Sequence, residues 1–340
     1  MRADMAVFRR FGWVVGAGLG MLMAGAALGA GGVTQPVLTG DLGIHDPTMI
    51  IVAGTYVAYY TGQEGGVFQG ALRIKTSPDG VTWKDVGALG KGIPAWVKPA
   101  LGVRPPNLWA PTVSEHGGTY YLYYAASIFG MNLSAIGLMT NPHLDPAHPG
   151  DGWTDQGLVL QTGMNDHFNA IDPFRIDTPD GRAWLSFGSY WDGIKLRELD
   201  PLSGKLKGDA ETYSLATRFG AAIEASSILE HDGHYFLFVS YDRCCAGVAS
   251  TYRIMVGRAD AVTGPYLDSQ GRPMLKGFAT QLERSTGRFI GPGGQEPFKG
   301  PDGDMLVYHY YDGQDLGRSK LEIAPIRWTA DGWPALDPLP

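Results

Sequence analysis

A chain of 340 residues with 44% hydrophobic content can bury a large core, and its 49 glycines and 23 prolines suit a fold dominated by turns. The formal net charge of −7, without any long run of lysine or arginine, argues against nucleic acid as a partner, because little here would neutralise phosphates. The adjacent Cys244 and Cys245 are too few for a structural zinc site and too close together to staple a loop.

Taken in chain order, the first segment stands apart from the rest. Arg2, Arg9 and Arg10 precede an apolar stretch from Phe11 to Leu28, and small residues follow through Ala30. This is the pattern of a signal peptide over residues 1–30. A retained membrane anchor is the rival, but five glycines in the stretch and no basic flank after it favour cleavage. The expectation is an acidic, secreted or periplasmic protein with no stable membrane association, in which residues 31–340 form one catalytic domain.

From Val33 onward the pattern is strand and turn. GTYVAYYTG (Gly54 to Gly62), GTYYLYYAAS (Gly118 to Ser127), GRAWLSFGS (Gly181 to Ser189), GHYFLFVSYD (Gly233 to Asp242) and GDMLVYHYYD (Gly303 to Asp312) each set a turn glycine before a run of aromatic and β-branched residues. Roughly ten residues upstream of these runs lie Asp46-Pro47, Ala110-Pro111, Asp172-Pro173, Glu224-Ala225 and Glu296-Pro297. Third strands are expected at Ala71 to Ser77, Ser134 to Thr140, Gly193 to Leu199 and Tyr252 to Ala259, and fourth strands near Trp83 and Trp153. Cys244 and Cys245 read as small buried residues at a strand end. A period of about fifty to seventy residues made of strands and turns predicts an all-β fold, a five-bladed β-propeller.

Equivalent positions in successive blades point toward a common axis. Asp46, Asp172 and Glu224 should therefore meet at one end of the central channel, where an active site would lie. Two carboxyl groups suffice for glycosidic hydrolysis: one protonates the leaving oxygen, and the other attacks or activates water. A third nearby would raise the pKa of the acid through like-charge repulsion. Trp109, Phe129, Tyr190 and Trp191 are candidates to stack on sugar faces.

These motifs resemble those of the endo-1,5-α-L-arabinanases of glycoside hydrolase family 43. The matching stretches include His45-Asp46-Pro47, Leu108 to Pro111, Ser134 to Leu138, Gly152 to Gly157, Asn169 to Pro173 and Gly188 to Leu196. Further matches are Phe238 through Cys244-Cys245 to Tyr266, and His309 to Asp312. The resemblance implies Asp46 as general base, Glu224 as general acid and Asp172 as the carboxylate that orients and tunes the acid, with inversion at the anomeric carbon. It implies substrate contacts at Gly130, Asn169, Ala170, Ile171, Ser189, Tyr190 and Trp191. It also implies a mostly water-coordinated structural calcium beside His309, since imidazole suits that hard cation poorly. No organic cofactor is expected, and the implied partner is arabinan or its oligosaccharides, bound by a monomer. Exo-acting arabinanases, arabinofuranosidases and xylosidases of the same family are alternatives, and a non-catalytic carbohydrate-binding propeller is a third class. The chain departs from the family at Thr112, after Ala110-Pro111, and at Gly294-Gln295, after Gly291-Pro292-Gly293, where relatives commonly carry Asp and His-Asn.

Overall fold

The computed structural model describes residues 35–63 and 67–339; the signal peptide expected over residues 1–30 lies outside them. Within the described residues the chain folds into five successive antiparallel sheets, the blades of a β-propeller. Blade 1 holds β2 (Thr48–Val52), β3 (Thr55–Tyr60), β4 (Arg73–Ser77) and β5 (Thr82–Ala88), with β1 (Thr39–Gly40) added parallel to β5. Blade 2 is β6 (Trp109–His116), β7 (Thr119–Ser127), β8 (Ser134–Asn141) and β9 (Thr154–Thr162). Blade 3 is β10 (Phe174–Asp177), β11 (Ala183–Phe187), β12 (Ile194–Leu199) and β13 (Thr212–Ala216). Blade 4 is β14 (Ile223–His231), β15 (His234–Tyr241), β16 (Arg253–Ala259) and β17 (Thr280–Glu283). Blade 5 is β18 (Phe289–Gly300), β19 (Gly303–Asp312), β20 (Arg318–Trp328) and β21 (Pro334–Leu336). The five aromatic runs of the sequence are the second strands, as expected.

The core is divided the same way. Each neighbouring pair of blades shares one apolar cluster, because sheets that are apolar on both faces must stack to hide them. Leu122 and Tyr124 pack with Val57 and Tyr59 between blades 1 and 2. Tyr123 and Phe187 lie between blades 2 and 3, Trp184 and Leu237 between 3 and 4, and Phe238 and Tyr308 between 4 and 5. The ring closes through Trp83, Val307 and the N-terminal residues Leu38 and Ile44, which share a cluster of blades 1 and 5. Ile44 N–H donates to Ser319 O, and Leu321 N–H to Leu42 O, so the entering chain pairs with β20. Burying one large side chain in such a cluster is worth about 2–3 kcal/mol.

One backbone device recurs where the inner strand of each blade begins. Asp46, Ala110, Asp172 and Ala225 have φ values of 50, 39, 54 and 52°, and Gly294 has 59°. Left-handed backbone is uncommon for residues with a Cβ. In blades 2, 4 and 5 it coincides with a break in strand register, as a bulge requires. This corrects the repeat alignment in two blades. Ala225, not Glu224, holds the repeated position, and in blade 5 that place belongs to Gly294-Gln295 rather than Glu296-Pro297. Glu296 falls two residues further along, level with Thr48 and Thr112.

The cysteines also need correction. They are not buried at a strand end: Cys244 and Cys245 are bonded to each other in the loop between β15 and β16, and Cys245 is exposed. Among the described residues no helix is long and apolar enough to cross a membrane.

Candidate active site

The five kinked positions bring Asp46 and Asp172 into one pocket, with Glu224 next to the kinked Ala225 that lines it. This pocket of about 30 Å³ is lined by Asp46, Ala110, Asp172, Ala225 and Gly294, with the residue that follows each. That is room for about one water molecule. Four of the kinks are fastened to a side chain of the blade before. Asp46 N–H donates to His309 Nδ1 at 3.1 Å, and Ala110 N–H to Thr61 Oγ1 at 2.9 Å. Ala225 N–H donates to Asp172 Oδ2 at 2.9 Å, and Gly294 N–H to Ser240 Oγ at 3.1 Å. Residues that shape the channel therefore also hold its neighbours in register.

Asp46 is embedded in donors. His45 Nδ1 lies 2.7 Å from Asp46 Oδ2, and Thr61 Oγ1 donates to the same oxygen at 2.7 Å. Burial alone would push this carboxyl up; His45, then His309 and Thr61, outweigh it and bring the pKa down to about 2. Asp46 Oδ1 is left facing the channel, and a fifth of the side chain is exposed there. The ring nitrogens can be assigned from their neighbours. His45 Nδ1 faces a carboxylate and carries hydrogen, so His45 Nε2 accepts from Tyr311 Oη at 2.9 Å. Tyr311 Oη in turn accepts from Cys245 N–H at 2.8 Å and faces His309 Nε2 at 3.3 Å.

Across the channel the chemistry reverses. Glu224 takes Ser189 Oγ on Oε2 at 2.6 Å and Tyr252 Oη on Oε1 at 2.7 Å. Those bonds favour the anion, yet burial outweighs them and, with the charge of Asp46, raises the pKa. Asp172 is raised well above the usual carboxylate range by burial first, then by the charges of Glu224 and Asp46. One ionised carboxylate thus faces two that favour protonation, the division of labour that acid and base catalysis needs.

The remaining sequence candidates divide into two sets. Trp109 is half-buried at the start of β6, with Nε1 on Asn107 Oδ1 at 2.8 Å, and its ring meets the exposed Phe129 edge-on with centroids 6.5 Å apart. Tyr190 and Trp191 sit in a left-handed turn before β12, and Tyr190 N–H donates to Ile223 O beside Glu224. Gly130 supplies a positive φ in the turn between β7 and β8. Asn169, Ala170 and Ile171 are all buried. Asn169 Oδ1 accepts from Ser134, and Ala170 packs between blades 2 and 3, so they position Asp172 from beneath. Thr61, Tyr252 and Tyr311 were missed as site residues. Thr61 follows the second strand β3 and Tyr311 lies near the end of the second strand β19, a place in the repeat that was the available signal; Tyr252 stands just before the third strand β16 and had no such signal.

His309 is fully buried, and burial lowers its pKa well below the imidazole range. His45, Asp46 and His309 form the one group of three potential metal ligands among the described residues. Both nitrogens of His309 already face protein partners, and a hard cation prefers oxygen. The donor set fits calcium only as an ion held through water near Asp46 Oδ1. Gly294 leaves little room for more, since a Cβ there would come within 2.7 Å of both Asp46 Oδ1 and His309 Nδ1.

A larger cavity of about 450 Å³ lies between blades 1 and 5, lined by outer-strand residues that include Lys75, Asp85 and Lys320. Its charges pair with one another, Lys320 with Asp312 and Asp315 and Lys75 with Asp85, and it contains none of the three acids.

Comparison with known proteins agrees with this geometry. Residues 33–334 match the profile described as Glycosyl hydrolases family 43. The chain is 40% identical over 296 residues to the extracellular endo-α-(1→5)-L-arabinanase 1 of Bacillus subtilis, covering 86% of this chain and 87% of that one. It is 36% identical over 306 residues to the extracellular exo-α-(1→5)-L-arabinofuranosidase of Cellvibrio japonicus, covering 86% of each. Among solved structures, the family 43 endo-arabinanase from Bacillus licheniformis superposes with a TM-score of 0.81 at 41% identity, over 88% of this chain and 99% of that one.

Proposed function

The chain belongs to the glycosyl hydrolases family 43, and from that premise we propose that it is a secreted, inverting endo-hydrolase of α-1,5-L-arabinofuranosidic links in arabinan. The observation that carries the reading is the opposed tuning of Asp46 and Glu224 across one narrow channel mouth. Asp46, already ionised, takes a proton from a water through Oδ1 as that water attacks the anomeric carbon. Glu224, kept protonated by burial, gives its proton to the departing sugar oxygen. Asp172 holds Ala225 N–H, one residue beyond the acid, and so fixes where Glu224 stands. Ser189 and Tyr252 aim the two oxygens of Glu224.

Endo action is supported by the relatives: the 40% identical protein of Bacillus subtilis and the 41% identical solved structure from Bacillus licheniformis are both named endo-arabinanases. The Bacillus subtilis and Cellvibrio japonicus relatives are both called extracellular, which supports secretion. A water-held calcium beside His309 and Asp46 would supply positive potential in the channel, and no step of the reaction is assigned to it.

The deciding experiment is a time course of products on debranched arabinan beside xylan, with a size measurement for the expected monomer. A ladder of arabino-oligosaccharides at early times supports the reading. One small product from the outset makes the enzyme exo-acting, as the Cellvibrio relative's name has it for that protein. Reducing ends from xylan alone would move the substrate to another pentose polymer, and binding without any release would make this a carbohydrate-binding propeller.

A further inference from the structure

Residues 242–252 join β15 to β16 at the channel end that carries the acids, and the Cys244–Cys245 disulfide lies within them. Cys245 has a φ of 63°, a conformation that few residues with a side chain hold unaided. A bond between neighbouring side chains closes a small ring that includes their shared peptide, so the direction of Cys245 N–H is restricted. That N–H points at Tyr311 Oη at 2.8 Å. Tyr311 Oη is 2.9 Å from His45 Nε2, and His45 Nδ1 is 2.7 Å from Asp46 Oδ2. Cys245 Sγ itself lies 3.8 Å from His45 Nε2.

We propose that the Cys244–Cys245 disulfide is a positioning element for the catalytic base: it seats Cys245 N–H on Tyr311, and through Tyr311 and His45 it fixes the carboxylate of Asp46. The inference rests on Asp46 being the base of the reaction proposed above. A hydroxyl donates one hydrogen and accepts two. With Cys245 N–H and His309 on its acceptor side, Tyr311 has its hydrogen directed at His45. Without the Cys245 donor the hydroxyl can rotate, and His45 loses the partner that holds its ring on Asp46. The rest of the loop is tied by Ser250 Oγ to Ala246 N–H and by Arg243 O to Thr251 N–H, so opening the disulfide leaves its course intact.

Asp46 is faced by His45, His309 and Thr61, by the acids Asp172 and Glu224, and by the phenols Tyr252 and Tyr311. Of these, His45 and Thr61 are the side chains bonded to Oδ2. Loosening His45 therefore frees the carboxylate to turn away from the attacking water, which slows turnover without weakening substrate binding.

The test treats the folded enzyme with a water-soluble phosphine. The S–S bond is cleaved to two thiols, with protons from water, while the phosphorus is oxidised to phosphine oxide by water's oxygen. Once two thiols titrate per chain, kcat should fall about 3–10-fold at nearly constant KM. Reoxidation should restore it. Tyr311→Phe with the disulfide intact should lower kcat by a similar factor, again at nearly constant KM, and phosphine should then add little, because the two act in one line. An unchanged kcat in the reduced enzyme overturns the proposal, as does a loss that falls on KM, and so do phosphine and Tyr311→Phe effects that multiply. If the reduced enzyme loses its fold by circular dichroism, Tyr311→Phe alone decides, and an unchanged kcat there rejects it. Asp46→Asn keeps the two readings apart: turnover in that variant discards the base assignment whatever the disulfide does.

Discussion

Asp46 and Asp172 are the same dipeptide in the same fold position, yet their chemistry is opposite. Each precedes a proline, each begins an inner strand, and their φ values are 50 and 54°. Asp46 faces the blade 1 and blade 5 side, with two imidazoles and a threonine hydroxyl, and is pushed down to about 2. Asp172 faces the blade 3 and blade 4 side, where its neighbours include a second buried carboxyl and one backbone N–H, and it is pushed up. The repeat supplies two identical carboxyl groups, and the neighbouring blades decide which of them is a base. Burial acts on both; the sign comes from whether imidazoles and a hydroxyl donor or another acid stand alongside.

That contrast can be broken most severely by Asp46→Asn. It should lower kcat about 10³–10⁴-fold on every substrate, since no other ionised carboxylate faces the water, as reducing-end release will show. Glu224→Gln should cost about 10²–10³-fold on arabinan. It should be far milder on an aryl arabinoside with a good leaving group, where little protonation is needed, and equal losses on both substrates would place the acid elsewhere.

The next pair sharpens the comparison through pH. Asp172→Asn should lower kcat by about 10–100-fold with the basic limb nearly in place, because Asp172 acts on Glu224 through its hold on Ala225 N–H, and a carboxyl that favours protonation has little charge to lose. Tyr252→Phe should shift that limb upward, because it removes a hydrogen bond that favours the Glu224 anion. A limb that stayed in place in Tyr252→Phe, or moved as far in Asp172→Asn, would contradict the electrostatics described here.

A smaller effect concerns stability. Glu296 is buried below the kinks, bonded by Thr48, and its burial raises the pKa to about 8. Its folded pKa exceeds its unfolded one, so the folded state holds a proton that unfolding releases, and stability falls as pH rises from the ordinary glutamate range toward 8. Glu296→Gln should remove that loss, raising Tm by about 2–5 °C at pH 8 relative to native and changing little at pH 4. Smallest of all should be the response to a chelator. Calcium held only through water should leave kcat within about twofold after its removal, and a larger loss would mean a directly bound ion.

Much of this protein could be read from its residues alone. Five glycine-led aromatic runs specified five blades, because alternating apolar strands with turns between them have few other ways to bury both faces. The Asp-Pro pairs and Glu224 marked the acids, since a repeat sends equivalent positions to one axis. What the sequence could not decide was register and surroundings. Ala225 rather than Glu224 occupies the repeated kink, and Gly294 rather than Glu296, because a bulge shifts pairing without altering the apolar pattern. Burial of Ala170 between blades 2 and 3 was equally silent, since an apolar residue beside an acid reads the same on either face. The line from Cys245 through Tyr311 and His45 to Asp46 joins blades 4, 5 and 1 across up to 266 positions of chain. Only the closing of the ring brings those side chains into contact, and with them the difference between a base and an acid.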